Sequence, residues 1–139
     1  MLKLTLSLPL SLSLFLALLS HNAFGAGISM EECNTTVTEF NDSLPMALDD
    51  ITTWVNTSCV DLGNGDIGLL YENRVTDDNQ ITQQELDAVR PSVLMSWCFG
   101  PTLSPLMQVV DNINYQYHFA NGEHIGELNF SFQECIAQQ

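Results

Sequence analysis

Four cysteines most constrain how this 139-residue chain folds. Cys33, Cys59, Cys98 and Cys135 are separated by 26, 39 and 37 residues, so none belongs to the close C-x-x-C pair typical of zinc sites. An even number of widely spaced cysteines in an exported chain most simply indicates two disulfides. Three pairings are open, and spacing alone does not select among them. We hypothesise Cys33 with Cys59, and Cys98 with Cys135, which would tie a helix to a strand in each half of the domain.

Residues 1–25 have the pattern of a secretory signal peptide. A basic residue precedes a Leu-rich apolar stretch at 4–19, and small residues suited to cleavage follow it. The stretch contains serines and is short for a permanent membrane span, so we expect cleavage before Ala26. The prediction is a single domain of residues 26–139 in the periplasm or outside the cell, without stable membrane insertion.

The charge of the chain is strongly unbalanced. It has 17 acidic residues against 3 Lys and Arg, a formal net charge of −14. Lys3 lies in the predicted signal peptide, so the mature domain keeps only Arg74 and Arg90 against all 17 acids, a net charge of −15. Such a surface repels nucleic acid and anionic lipid and favours a basic partner.

The first half of the mature chain predicts one helix and two strands. Apolar residues at spacings of three and four over residues 29–41 predict a helix that points Cys33 inward. Residues 46–60 are rich in β-branched and aromatic residues, which predicts one long strand. Turn-forming residues fill positions 61–66, and apolar residues alternate after them. We therefore expect a second strand antiparallel to the first.

The second half begins with a helix over residues 82–98. Thr82 and Glu85 form a T-x-x-E capping box immediately before its apolar residues. Pro91 lies inside this helix and predicts a kink or a break into two short helices. After Gly100, Ser104-Pro105 predicts the start of another short helix.

Residues 113–132 predict a β-hairpin, because Asn121-Gly122 is a preferred dipeptide of the two-residue type I′ turn. The expected register sets Ala120 opposite Glu123. Two faces result, one with Ile113, Tyr115, Tyr117, Phe119, His124, Gly126, Leu128 and Phe130, the other with Asn114, Gln116, His118, Glu127 and Asn129. The predicted fold class is α+β, with a four-stranded antiparallel sheet, helices packed on one of its faces, and two disulfides.

Residues 77–86 resemble the second half of an EF-hand loop, with Glu85 at the position of the bidentate glutamate. The first half does not fit, because Arg74 occupies the first ligand position and Thr76 the third. A capped helix start explains the same residues, so we expect no resident metal. Weak, exchangeable calcium binding at the acidic turn of residues 61–66 stays open as an alternative.

No motif names a catalytic reaction. The predicted hairpin register places His118 and His124 on opposite faces, which excludes a shared metal or acid–base site. There is no G-x-S-x-G motif and no Gly-rich phosphate loop, and paired cysteines supply no nucleophile. We therefore predict no catalytic residues and no cofactor. A hydrolase with an unrecognised carboxylate pair is the disfavoured class.

Several short motifs follow one another along the mature chain: Leu44-Pro45, Asp49-Asp50-Ile51-Thr52, Leu70-Tyr71, Trp97-Cys98, Tyr115-Gln116-Tyr117, Asn121-Gly122 and Glu134-Cys135. Their order resembles small periplasmic immunity proteins, which neutralise lysozyme-like effectors delivered by type VI secretion. The resemblance implies an α+β inhibitor that occludes the active-site cleft of a peptidoglycan hydrolase, often as a dimer. It carries over no individual contact residue.

Two function classes fit these observations. The first is a non-enzymatic inhibitor or immunity-type protein that binds a basic cell-wall hydrolase, with charge accelerating association and apolar anchors supplying affinity. The second is an exported accessory protein whose acidity serves solubility. For the first class, the predicted partner-binding residues are the acids in exposed turns and at the hairpin tip: Asp61, Asp66, Asp77, Asp78 and Glu123.

Overall fold

The structure, a computed structural model, describes residues 27–76, 80–101 and 108–138. In chain order the elements are α1 (Met30–Asn41), β1 (Met46–Ala47), β2 (Thr52–Gly63), β3 (Asp66–Val75), α2 (Gln83–Phe99), β4 (Asn112–Phe119), β5 (His124–Ser131) and α3 (Phe132–Ala137). The predicted signal peptide and the short helix predicted at Ser104-Pro105 lie outside the described residues. Among those residues, no helix has both the length and the apolar character needed to cross a membrane.

The strands form one five-stranded sheet in the order β1-β2-β3-β4-β5. All neighbours are antiparallel except β3 and β4, which are parallel. The α+β class is therefore confirmed, whereas the predicted four-stranded antiparallel sheet is wrong in strand number and direction. The reason is α2, whose 17 residues span roughly 25 Å at 1.5 Å per residue, enough to return the chain to the end where β3 began.

The long strand predicted over residues 46–60 is two strands. The carboxylate of Asp49 accepts hydrogen bonds from the backbone N–H of Ile51 (2.9 Å) and of Thr52 (2.7 Å). This Asx-type turn reverses the chain, so β1 folds back and pairs antiparallel with the start of β2. The β-branched and aromatic residues correctly predicted extended backbone in this segment, but they did not predict the turn at Asp49.

The two Asn-Gly dipeptides of the chain form different turns. Asn64 and Gly65 both have positive φ, 55° and 83°, and Gly63 pairs with Asp66, which makes the β2–β3 connection a two-residue type I′ turn. In the β4–β5 connection only Gly122 has positive φ, and Phe119 N–H donates to Glu123 C=O. That connection is a three-residue loop ending in a left-handed glycine, so the type I′ turn predicted there is wrong.

The β4–β5 register combines this longer loop with a β-bulge. His118 pairs with His124, whereas Tyr117 pairs with Gly126, so β5 carries one extra residue at Ile125. Relative to the predicted pairing, the three-residue loop shifts the register of β5 by one residue, and the bulge at Ile125 restores it. The predicted register is therefore confirmed from Asn112 to Tyr117 and wrong at the tip.

Helix α2 is continuous through Pro91, so the predicted break into two helices does not occur. Pro91 is exposed, which leaves the carbonyl that loses its donor close to water. Leu86 lies before the proline, and Leu94 and Trp97 lie after it, all three buried in the same core. Packing of both halves against one sheet face thus holds the helix together.

The core lies between the helices and one face of the sheet, here called the core face. A row of aromatic rings crosses it from α1 to α2: Phe40, Trp54, Tyr71, Tyr115 and Trp97, with neighbouring centroids 5.0–6.3 Å apart. The indole N–H of Trp97 donates to the Tyr115 hydroxyl at 3.0 Å. Burial raises the pKa of the Tyr115 phenol, so this hydroxyl stays neutral and the row stays uncharged.

Both hypothesised disulfides are present. Cys33–Cys59 joins α1 to β2, as expected, whereas Cys98–Cys135 joins α2 to α3. The expected helix-to-strand tie is wrong for the second disulfide, because the chain forms α3 after β5. The two disulfides close segments of 26 and 37 residues, which corresponds to about 3–4 kcal/mol each in the chain-entropy model.

Amide side chains pair with the backbone at both edges of the sheet. On β2, Asn41 donates to Thr57 C=O at 2.8 Å and accepts from Thr57 N–H at 2.9 Å. On β5, Gln83 makes the same two bonds with Glu127, both 2.8 Å. Each amide replaces the next strand over one residue, which is one way natural sheets protect an edge.

A cation completes the β5 edge. Arg90 donates to Asn129 C=O at 2.6 Å, forms an ion pair with Glu134, and lies 4.9 Å from the ring centroid of Phe130. Burial by itself raises the pKa of Glu134, but hydrogen bonds from Ser131 N–H and the Arg90 guanidinium outweigh it. The pKa of Glu134 is therefore below its ordinary value of 4.5.

We predict that Gln83→Ala lowers the free energy of unfolding by about 1 kcal/mol, because the edge N–H and C=O of Glu127 lose their partner. Urea denaturation followed by circular dichroism measures it. Gln84→Ala, at the next exposed position of the same helical turn, is the matched control and should change stability by less than about 0.5 kcal/mol. Equal losses in the two variants would contradict the edge role of Gln83.

We predict that Glu134→Gln costs about 1 kcal/mol at pH 7 and progressively less as the pH falls below 4.5. A carboxylate whose pKa is lower in the folded state stabilises the fold above the ordinary value of 4.5, and loses that contribution as the pH falls through the folded-state pKa. Urea unfolding of both proteins at pH 7 and pH 3 measures the difference. A gap of the same size at pH 7 and pH 3 would show that the carboxylate charge is not the cause. Glu39→Gln, on the exposed surface of α1, serves as the control.

Candidate functional site

The sheet face opposite the core, here called the open face, carries mostly polar side chains. It follows from strand alternation, because the core residues of each strand occupy the other face. Its members along the four long strands include Asn56, Ser58, Val60, Gly68, Leu70, Glu72, Arg74, Asn114, Gln116, His118, Glu127 and Asn129. None of the described helices packs on it, so it is the natural place to look for a binding site.

The centre of the open face is a hydrogen-bonded polar network. The Glu127 carboxylate accepts from the amides of Asn114 (2.9 Å) and Gln116 (2.6 Å), and Gln116 also donates to Asn114 at 2.7 Å. On the neighbouring pair of strands, Asn56 donates to Glu72 at 2.7 Å. These side chains satisfy one another, which makes the centre a pre-formed polar surface.

His118 and His124 lie together at one end of this network, which corrects the prediction of opposite faces. Their ring centroids are 5.1 Å apart, and His124 Nε2 is 2.9 Å from Gln116 Oε1. The bulge at Ile125 is the cause, because one extra residue moves His124 to the other face of β5. Within the described ranges, no group of three or more His, Cys, Asp or Glu could hold a metal ion.

The opposite end of the open face is formed by the β2–β3 hairpin and differs in character. Val60 and Leu62 are 37% and 47% exposed. Leu62 Cδ1 lies 3.4 Å from where a Cβ on Gly68 would be, so the Leu62 side chain packs over the buried Gly68. Asp61 and Asp66 are exposed on either side of the turn. We call Val60, Asp61, Leu62 and Asp66 the hairpin end.

The acids predicted to form one partner surface are separated in the structure. Asp61 and Asp66 lie at the hairpin end, whereas Glu123 lies in the β4–β5 connection at the other end of the sheet. The ten residues of β3 place roughly 30 Å between these ends, at about 3.3 Å per residue. Parallel pairing of β3 and β4 is responsible, because an antiparallel β4 would have brought both hairpin turns to the same end.

Asp77 and Asp78 lie outside the described residues. The remaining EF-hand candidate, Glu85, is engaged elsewhere: its carboxylate accepts from the N–H of Thr82 at 2.7 Å, as the predicted capping box requires. At the hairpin end, Asp61 Oδ1 accepts from Gly63 N–H at 2.8 Å. That bond fixes the turn and leaves the second carboxylate oxygen of Asp61 facing solvent.

Sequence reasoning missed the apolar part of the hairpin end. It assigned residues 61–66 to a turn, whereas β2 continues to Gly63 and carries Val60 and Leu62 beyond the core. The signal was present in the sequence, because apolar residues continue at Val60 and Leu62 past the last buried position of the strand. Both side chains are exposed because β2 extends beyond the helices that cover the sheet. The order of apolar and polar residues in the sequence does not predict how far those helices reach.

No protein-family model matches the chain, and no curated protein matches it. Two solved structures have a similar fold. One is a Pseudomonas aeruginosa protein described as secreted, with a TM-score of 0.57 and 15% identity over 76% of this chain and 91% of that chain. The other is the pilotin of the Vibrio vulnificus type 2 secretion system, with a TM-score of 0.56 and 13% identity over 76% and 90%.

At these identities the likeness establishes the fold alone. The descriptions of the two neighbours name a secreted protein and a secretion-system pilotin, and neither names an immunity protein. Together with the two disulfides, these neighbours are consistent with an exported protein.

Proposed function

We propose that this chain is an exported, non-enzymatic binding protein that docks a basic protein partner through the hairpin end. The observation that carries the proposal is the combination of two exposed apolar side chains with two exposed carboxylates on one rigid turn. Apolar residues at the centre of an interface supply affinity, and charges at its rim supply orientation and association rate. The hairpin end offers both kinds of contact, because Val60, Asp61 and Leu62 are consecutive in β2 and Asp66 begins the paired strand β3.

The overall charge supports a basic partner. With a net charge of −15 on the mature domain, the protein attracts cationic surfaces over several ångströms and repels anionic ones. At physiological ionic strength this attraction extends about 8 Å, so local carboxylates such as Asp61 and Asp66 matter more than distant ones.

Our first candidate partner is a basic peptidoglycan hydrolase, with this chain acting as an inhibitor or immunity-type protein. The motif order in the sequence supports this choice, as does the charge. The second candidate function is an accessory role in a secretion apparatus, favoured by the similarity to a type 2 secretion pilotin. A periplasmic location suits both, and only the first requires that hydrolysis of peptidoglycan be blocked.

We predict that Asp61→Asn combined with Asp66→Asn weakens binding to a basic lysozyme-like hydrolase about tenfold, or about 1.4 kcal/mol, at low salt. Asparagine keeps the acceptor oxygen that Asp61 presents to Gly63, so the turn should persist. Biosensor kinetics at 50 and 300 mM salt should show a loss confined mainly to the association rate and largest at low salt.

Glu123→Gln is the matched control, because it removes the same kind of charge at the other end of the sheet. It should leave affinity within about twofold. If Glu123→Gln weakened binding as much as the Asp61→Asn and Asp66→Asn pair does, net charge, and not the hairpin end, would be what attracts the partner. Peptidoglycan clearing by the hydrolase distinguishes the two candidate functions: an inhibitor slows it at stoichiometric ratio, whereas an accessory protein binds without slowing it.

A further inference from the structure

Beyond Thr57, the outer backbone groups of β2 no longer have hydrogen-bond partners in the part of the chain that the structure describes. Because Thr57 turns its N–H and C=O outward to Asn41, alternation along the strand turns the N–H and C=O of Cys59 and Asp61 outward as well. The residues between them, Ser58 and Val60, point their backbone groups at Leu70 and Gly68 of β3. No hydrogen bond among the described residues reaches the outward groups of Cys59 and Asp61.

Several other positions along the described sheet edges carry a partner. β1 covers β2 at Thr53 and Trp54, and Asn41 covers Thr57. On the other side of the sheet, Gln83 and Arg90 occupy the backbone of β5 at Glu127 and Asn129. Proteins protect exposed strand edges against pairing with other chains, so two successive outward-facing residues of a long strand without partners in the described ranges are a candidate site for strand addition.

Along the edge of β2 from Cys59 to Leu62, apolar and acidic side chains alternate between the two sides of the strand. Val60 and Leu62 present apolar surface on the open face, while Asp61 lies on the other side of the strand. The Cys33–Cys59 disulfide, with a Cα–Cα distance of 6.1 Å, also holds the first turn of α1 beside that second side. That turn carries Glu31 and Glu32, so negative charge accumulates there.

We infer that the edge of β2 from Cys59 to Leu62 accepts an extended segment of the basic partner as an added strand of the sheet. The segment would alternate apolar residues, packed on Val60 and Leu62, with Lys or Arg facing Asp61 and α1. This inference rests on the proposed function and specifies how the partner is held. Pairing of two copies through the same edge is disfavoured, because it would bring the acids of both hairpin ends together.

The test uses an eight-residue peptide of alternating lysine and valine with blocked ends, titrated into the native, disulfide-bonded protein. In an extended peptide all lysine N–H groups point to one side and all valine N–H groups to the other. One derivative is N-methylated at its lysines and one at its valines. Both keep every side chain and charge, so they are matched controls for each other.

Strand addition predicts that one methylated peptide binds at least tenfold more weakly than the parent and the other binds like the parent. An added antiparallel strand makes the lysine-methylated peptide the weak one. In nuclear magnetic resonance spectra, the amides of Cys59 and Asp61 should gain protection from hydrogen exchange on binding the parent peptide. Those of Ser58 and Val60, already bonded to β3, should change little.

Equal binding of all three peptides would overturn strand addition and leave a purely electrostatic contact, which keeps the proposed function. Absence of binding by the parent peptide would overturn the inference at this edge, while the hydrolase titration judges the proposed function separately. Sedimentation of the peptide-free protein as a dimer that dissociates on Val60→Lys would assign the edge to a second copy and overturn the inference too.

Discussion

Parallel pairing of β3 with β4 is the constraint on which the remaining arrangement depends. It requires a crossover long enough to return the chain to the start of β3, and α2 supplies that length. The crossover places α2 over the same sheet face as α1, which closes a single core around the aromatic row. It also sends the two hairpin turns to opposite ends of the sheet, so the acids of the chain form two separate regions.

The same topology decides which strands become edges. With β3 and β4 in the middle, β5 and the part of β2 beyond β1 expose one side each, and both receive an amide side chain in place of a neighbouring strand. Asn41 is the last residue of α1 and Gln83 the first of α2, so each helix terminus protects the edge that it reaches. Protection ends where the helices end, and β2 extends past α1 at the hairpin end.

Charge and apolar surface play different parts in the proposed function. In that proposal, the net charge of residues 26–139 acts at long range and favours basic partners as a class. Specific recognition needs short-range contacts, and the described surface offers them at the hairpin end, where Val60 and Leu62 are exposed beside two carboxylates. The polar centre of the open face is satisfied internally, which makes it a rigid support for that end.

The sequence by itself determined the local features of this protein. The α+β class, the starts of α1 and α2 and most of the β4–β5 register were predicted, because capping and period-two alternation operate over neighbouring residues. The cysteine pairing was a hypothesis among three that the tertiary structure decided, and α3 was not predicted. Only the tertiary structure decided the direction of β4, the face on which His124 lies and the exposure of Val60 and Leu62. The direction of β4 depends on burying α2 against a distant strand, and the position of His124 depends on a single bulge. Both depend on packing between residues far apart in the chain, which a local pattern does not contain.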